Sequence, residues 1–536
     1  MIKTGGQAVI EALEAWGVEV VFGIPGLHTL ALYDALYKHP RIHHVTTRHE
    51  QGAGYMADGY ARASGRVGVA LSTTGPAALN ALTPLGEAYA DSSPLLLITS
   101  GPESNSTTDP DLGALHEMRN QFATLESVCG QGRRVESVEE IPQALGEAFN
   151  SLQRRRPRPY VLEVPLDLLE ATAAVPQRPA ILAPAPLAPQ RDLEKAAALL
   201  RAAALPLIIA GRGAQDAAAD LRQLAELLQA PVGLTVNGLG VLPADHPLCL
   251  ADAGTGKLDG RRRNLGRNIG AWVERADLVF AVGTRLGERT VRAWDAEPSR
   301  LIHLDIDPRV VGRHYPAEVG LVGAARENLS ALIKLLRQDP GPSTWCSAKI
   351  DAPGPAPAEG LFAEILAALR QSLDRNAILT NDMTLACYRA RRLFPVYAAR
   401  SFLSPHYYGT LGFAVPAAIG AKIACPEQQV VALCGDGGFL FTGQELATAK
   451  QQRLSLPIVL CNDNCYTAIR QGQERDFGGR YTGVDLENPD FVLFAQSFGI
   501  AGTRVKSRPA LERALRAALG RDEPTLVEVS LPEFEL

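Results

Sequence analysis

The sequence predicts an α/β protein of three doubly wound, parallel-sheet domains, and three observations carry that expectation: chain length, two proline-rich interruptions, and strand-like runs alternating with helical ones. At 536 residues the chain exceeds what one hydrophobic core usually supports, so several domains are expected. The first interruption reads PQRPAILAPAPLAPQ from 176, the second DPGPSTWCSAKIDAPGPAPAEG from 339. Proline fixes φ and removes a backbone donor, so both read as extended linkers, 173–190 and 339–358. They divide the chain into domains 1–172, 191–338 and 359–536.

Each third repeats one theme. In the first, Val18–Phe22, His44–Thr47, Val67–Ser72 and Leu95–Thr99 are short apolar runs separated by helical stretches such as Pro76–Ala90. In the second, PLIIAG from 206, PVGLTV from 231, DLVFAVG from 277 and LIHLDIDP from 301 do the same. In the third the runs are AILTN from 377, VVALCGDGG from 430, PIVLCND from 457 and PTLVEVSL from 524. Strands without polar alternation, interleaved with helices, predict sheets covered on both faces.

Composition narrows the function classes. With 46% apolar residues, 21% charged and a net charge of -5, the chain builds large cores and presents no global positive field for nucleic acid or anionic membrane. Small molecules and further copies of the chain are the expected partners. The runs Arg154–Arg156 and Arg261–Arg263 read as solvated faces. Eight cysteines (129, 249, 346, 387, 425, 434, 461 and 465) form no CxxC pair, which suits reduced thiols and argues against zinc. Glu11 and Glu14 interrupt the apolar pattern at the N-terminus, and no run approaches the roughly 18 apolar residues of a membrane span. A cytoplasmic protein is expected.

The chemistry concentrates in the last third. The strand Val430–Cys434 runs into Gly435-Asp436-Gly437-Gly438, and Thr442 to Glu445 reads as a capping box opening a helix through Ala449. The strand Pro457–Cys461 then ends in Asn462-Asp463-Asn464. Ligands of open α/β sheets sit beyond the carboxyl ends of strands, so both clusters face one crevice. Glycines there let backbone approach a diphosphate, and Asp436 and Asp463 offer oxygens to a hard cation. The tripeptide alone is equally a tight turn; the second cluster favours the metal reading. In the first third, Glu50 opens a helix after a strand, as a macrodipole-favoured carboxylate. Gly52-Ala53-Gly54 echoes a dinucleotide fingerprint, but ALSTT at 70–74 supplies no acidic partner, which excludes NAD.

A GDG followed on the next strand by an asparagine pair resembles the thiamine-diphosphate enzymes of the acetolactate synthase and 2-keto acid decarboxylase superfamily. The resemblance implies Mg²⁺ held by the side chains of Asp436 and Asp463 and the backbone carbonyl of Cys465, with Asn462 supporting the loop. Asp463 stands where that family usually has a second asparagine; a carboxylate remains a hard donor. By the same resemblance Gly435, Gly437, Gly438 and Tyr466 lie at the thiamine diphosphate.

TRHEQGAGYMADGYAR from 46 is similar to the activator region of the acetolactate-synthase-like branch. It implies that Glu50 hydrogen-bonds the aminopyrimidine N1′. YGTLGFAVPAAIGAK from 408 implies that the Gly409 carbonyl accepts from the 4′-amino group and that Leu411 props the cofactor into a V shape. Gly23, Pro25, Gly26 and Gly75 are likewise implied at the cofactor. In related decarboxylases the loops matching 23–26 and 115–117 handle protons, making His28 and His116 candidates; Leu27 replaces an acid found there in pyruvate decarboxylases.

Together with NDMT at 381, these strings are most similar to the 5-guanidino-2-oxopentanoate decarboxylase branch, which implies decarboxylation of a long cationic 2-keto acid to an aldehyde. Asp382, counted with the cofactor-binding residues, either meets a guanidinium or caps the next helix. The alternative is a carboligase that joins the decarboxylated fragment to a second carbonyl compound. A flavin-containing oxidase or synthase is a further class: Gly283-Thr284-Arg285 and Gly287-Glu288-Arg289 echo a flavin-contacting stretch, or simply cap a strand. The family builds its sites between subunits, so a homodimer or dimer of dimers is implied.

Overall fold

The computed structural model describes residues 2–105, 113–176, 179–252, 269–292, 294, 296–339, 341 and 360–535. Three six-stranded sheets carry the chain. The N-terminal sheet runs, in space, His43–Thr46, Val20–Gly23, Gly68–Ser72, Leu95–Gly101, Tyr160–Pro165 and Gly132–Arg134, every neighbour parallel. The C-terminal sheet runs Phe402–Leu403, Ile378–Asn381, Val430–Gly435, Pro457–Asn462, Thr525–Ser530 and Ala501–Val505. Counted in chain order within each sheet, both follow the order 2-1-3-4-6-5. The middle sheet follows 3-2-1-4-5-6, beginning at its edge with Cys249–Asp252 and ending with Val319–Val322.

The strands form where the sequence lacks alternation because both faces are covered: all seven residues of Leu95–Gly101 and all six of Val430–Gly435 are buried. The covering helices are amphipathic. Ile141–Arg154 buries Ile141, Ala144, Leu145, Ala148, Phe149 and Leu152 at three- and four-residue spacing, each large side chain contributing about 1.5–3 kcal/mol. The chain divides into two compact units, one made of Met1–Ala183, Ile378–Leu385 and Leu403–Glu535, the other mainly of Pro184–Ala377 and Ala386–Phe402. The first holds the N- and C-terminal sheets, the second the middle sheet.

Several local expectations are corrected. The single helix over 76–90 is two, Pro76–Asn80 and Leu82–Asp91; Pro84 has no N–H to return to the carbonyl of Asn80, so the ladder breaks at Ala81. The first linker starts late, because Thr172–Ala174 pairs antiparallel with Ile2–Thr4; residues 179–189 carry no helix or strand. Almost all of the second linker, Cys346 and the run Arg261–Arg263 lie outside the described residues. Arg156 is half-buried and donates to Ser92 Oγ at 2.9 and 3.0 Å rather than decorating a solvated face. Thr442 makes no side-chain cap: its hydroxyl donates to the Gly412 carbonyl at 2.8 Å, and a short 3-10 turn precedes the helix Leu446–Gln451.

Candidate active site

In both outer sheets the strand order reverses between the first and third strands, and side chains leaving those two strands meet in the crevice that opens there. In the C-terminal sheet the flanking strands are Ile378–Asn381 and Val430–Gly435, paired in parallel. Their loops lie on each other. A Cβ on Gly435 would come within 2.8 Å of Thr384 Oγ1, and one on Gly438 within 3.0 Å of Asp382 Oδ1.

Asp382 is 1% exposed and accepts from the amides of Met383 (2.7 Å), Gly412 (3.2 Å) and Ala414 (3.3 Å). Burial pushes its carboxyl up to about 6 despite these amides. It therefore holds the amides that lead into the helix Ala414–Ala424 and is almost without exposed surface. What it positions is the turn 409–412, where Gly409 adopts φ +79° and Leu411 is half-buried.

Two carboxylates converge beyond the next two strands. Asp436, 4% exposed, opens the turn after Val430–Gly435; burial and then the nearby charge of Asp463 raise its carboxyl. Its Oδ2 accepts from Asn488 Nδ2 at 2.7 Å. Asp463 Oδ2 accepts from Thr467 Oγ1 at 2.6 Å. Asn462 donates to Glu528 at 2.9 Å and accepts from the Asn464 amide at 3.1 Å. Asn464 sits at φ +54°, a conformation asparagine tolerates.

A second segment holds this loop: Cys465 bridges Asp485, Tyr466 N–H reaches the Val484 carbonyl, and Leu486 N–H the Asn464 carbonyl, both at 2.8 Å. The Tyr466 ring lies where a side chain on Gly437 would be, 2.4 Å from its would-be Cβ. Among the described residues no group of three His, Cys, Asp or Glu side chains could hold a metal. The set on offer is two carboxylates and the Cys465 carbonyl, all hard oxygens, which suits Mg²⁺ completed by diphosphate and water.

The switch point of the N-terminal sheet, between Val20–Gly23 and Gly68–Ser72, is furnished differently. Gly23 and Gly26 are pressed against Leu71 and Thr73 (would-be Cβ contacts of 2.4 and 2.7 Å), and Pro25 is exposed on the same turn. His28 and His116 meet through one buried hydroxyl: Thr74 Oγ1 lies 2.6 Å from His28 Nδ1 and 2.8 Å from His116 Nδ1. The rings stand edge to face, 5.1 Å apart. Burial, then the charge of His116, lowers the pKa of His28. Gly75, at φ +64°, packs under His116 and donates to Gln121 Oε1 at 2.7 Å. Leu27 beside them is 71% exposed.

Glu50 is the first residue of the helix Glu50–Ser64, capped by His49, whose Nδ1 accepts from the Gln51 amide. The Glu50 carboxylate accepts from Asn80 Nδ2 at 2.9 Å. This helix packs along Ala414–Ala424, Gly59 lying against Ala417 and Gly420 against Met56. Tyr55 meets Thr410 at 2.5 Å. Glu445 explains the misread cap: its two oxygens accept from the Arg48 amide at 3.1 and 3.2 Å, and burial lifts its carboxyl to about 6.

Thr74, Asn80, Gln121 and Asn488 escaped the sequence reading. Only Thr74 left a trace, in the string ALSTT that was weighed for a missing acid. In the middle domain one glycine of the flavin-like echo is packed against protein: Gly213 N–H donates to the Gly283 carbonyl at 2.9 Å, and a Cβ on Gly283 would lie 2.5 Å from Gly213. That crossing of two turns accounts for Gly283; Gly287, the other glycine of the echo, has room for a side chain, its would-be Cβ 3.7 Å from Arg285.

Comparison with known families finds three adjacent matches: thiamine pyrophosphate enzyme, N-terminal TPP binding domain, over residues 3–124; the central domain over 193–332; and the C-terminal TPP binding domain over 362–529. A probable 2-ketoarginine decarboxylase of Pseudomonas aeruginosa is 39% identical over 554 residues, covering 98% of this chain and 94% of that protein. A probable acetolactate synthase large subunit of Methanocaldococcus jannaschii is 33% identical, with 99% and 92% covered. The acetolactate synthase isozyme 2 large subunit of Escherichia coli is also 33% identical, with 99% and 96% covered.

Proposed function

Because the chain belongs to the thiamine pyrophosphate enzymes, we propose that it catalyses non-oxidative decarboxylation of a 2-keto acid to an aldehyde, with thiamine diphosphate bound through Mg²⁺. The convergence of Asp436 and Asp463 at the carboxyl ends of adjacent strands is the observation that carries this reading. When bound, the cofactor supplies the electron sink for CO₂ loss.

The protein's own groups do the rest. Asp436, Asp463 and the Cys465 carbonyl hold the metal; Gly435, Gly437, Gly438, Asn462 and Tyr466 shape the diphosphate end. Asp382 holds the 409–412 turn, where the Gly409 carbonyl would accept from the cofactor's 4′-amino group and Leu411 would exclude water from it. Glu50, oriented by Asn80, holds the proton shared with N1′. His28 and His116, joined through Thr74, hold and deliver the proton that the aldehyde carbon receives. Gly23, Pro25, Gly26 and Gly75 form the apposed loop.

A long cationic substrate such as 5-guanidino-2-oxopentanoate is favoured by the 2-ketoarginine decarboxylase relative. Carboligation is the second reading, favoured by the acetolactate synthase relatives. A panel of 2-keto acids assayed for CO₂, with mass spectrometry separating aldehyde from ligated product, decides between them; no CO₂ from any acid in the presence of cofactor and Mg²⁺ overturns both. Flavin absorbance in the purified protein would revive the flavin reading for the central domain.

We take the active unit to be a homodimer or larger assembly, with sites built between subunits. The exposed apolar residues of the site loops, Leu27, Leu30, Tyr408 and Phe441, support this; sedimentation of a fully active monomer would refute it. No helix of the described residues is long and apolar enough to cross a membrane, and a cytoplasmic location is part of the proposal.

A further inference from the structure

Each carboxylate of the acidic pair has one oxygen engaged by a side chain, and the Asp436 carboxyl also meets the Gly437 amide. Asn488 Nδ2 occupies Asp436 Oδ2 at 2.7 Å, and the Thr467 hydroxyl occupies Asp463 Oδ2 at 2.6 Å. Neither donor is loosely placed. Asn488 also faces Asn464 Oδ1 at 3.1 Å and Asn462 Oδ1 at 3.3 Å. Three oxygens around one amide nitrogen fix its orientation, since turning the amide over would set its own oxygen against all three. The backbone pairing of 484–486 with 464–466 fixes the loop that carries it. Thr467 lies one helical turn beyond Asp463, at the start of Thr467–Phe477.

We propose that Asn488 and Thr467 are positioning residues that set metal choice, by leaving each carboxylate a single oxygen for a cation. The inference rests on the metal site proposed above and extends it to selectivity. Mg²⁺ demands about six oxygens in near-ideal octahedral geometry, whereas the larger Ca²⁺ takes more and readily accepts both oxygens of one carboxylate. Two unrestrained carboxylates would offer up to four oxygens and favour the larger ion. Two restrained ones offer two, which favours the smaller. The restraint matters more in this chain because position 463 is an aspartate; an asparagine there has only one oxygen to give.

The test is titration of MgCl₂ and of CaCl₂ into the full-length protein with thiamine diphosphate present, read by calorimetry rather than turnover, for wild type, Asn488→Ala, Thr467→Val and the double variant. Melting of the metal-free proteins shows whether each variant is folded. Mg²⁺ affinity should fall by about 10- to 100-fold in the double variant, the usual cost of losing outer-shell partners, while Ca²⁺ affinity changes little. Thr467→Ser, which keeps the hydroxyl, should retain wild-type preference and guards against a folding artefact. Equal losses for both ions, or none for either, overturn the proposal. Asp436→Ala separates the layers: if it binds Mg²⁺ like wild type, the metal site itself is misassigned. If it loses Mg²⁺ and the double variant keeps its preference, only the selectivity role fails.

Discussion

The N- and C-terminal sheets share one strand order and place their loops at the same switch point, yet they furnish it with opposite chemistry. The C-terminal crevice collects carboxylates and amides, with the charge of Asp463 felt at Asp436, Asn488 donating to Asp436 and Thr467 to Asp463. The N-terminal crevice collects two imidazoles around a hydroxyl, with Glu50 on a neighbouring helix end. Topology decides where a ligand can sit. The residues on the two or three loops at that point decide its chemistry, for which the proposed roles are gripping a metal and diphosphate at one crevice and moving protons at the other.

That division of labour can be broken. The largest effect is expected from Glu50→Gln, which should lower kcat for CO₂ release by about a thousandfold, within the 10²–10⁴ range for a proton-handling group. Cofactor binding, followed by fluorescence titration, should persist; loss of binding alone would place Glu50 on the gripping side. Asp436→Ala should do the converse, weakening Mg²⁺-dependent cofactor binding by more than about 100-fold, beyond the loss typical of an outer-shell change. Unchanged affinity would empty the C-terminal crevice of its proposed role.

Smaller changes sharpen the contrast. Thr74→Val removes the hydroxyl between the two histidines at nearly constant shape. It should lower kcat about tenfold, the worth of one good hydrogen bond, and move the acid limb of the pH–rate profile; Thr74→Ser should restore both. A normal profile in the valine variant would show that the histidines act separately or not at all. An effect on stability rather than turnover concerns Glu445, whose buried carboxyl is raised to about 6. A raised acid favours the protonated form in the fold, so its contribution is full below the unfolded value near 4.5 and is lost as pH rises through about 6. Wild type should therefore lose about 2 kcal/mol across that window relative to Glu445→Gln, at about 1.4 kcal/mol per unit. Urea melts at several pH values measure it.

Much of this was legible in the chain. Strands buried on both faces announce themselves as apolar runs, and every run singled out contains or overlaps a strand. Five of the six strands left unread in the three six-stranded sheets are sheet edges: Gly132–Arg134, Cys249–Asp252, Val319–Val322, Phe402–Leu403 and Ala501–Val505. Edges are short or partly solvated and so carry weak patterns. The sixth, Tyr160–Pro165, is interior but hides the buried Glu163, tied to Arg134 and Gln121. Thr442 to Glu445 has the spacing of a cap, but Glu445 is taken by an amide 397 residues away, and no local rule can foresee that competitor.

What the sequence determined by itself is the fold class, the positions of the glycine turns and the identity of the acids and histidines worth watching, because periodicity and short motifs are local properties of the chain. Only the tertiary structure decided which of them meet. Thr74 joins histidines 88 residues apart, Asn488 reaches Asp436 from 52 residues on, and Asp382 is buried with its carboxylate on the Gly412 and Ala414 amides, 30 and 32 residues on. Hydrogen bonds act over about 3 Å, and such proximity is created by sheet order and loop packing, not by spacing along the chain.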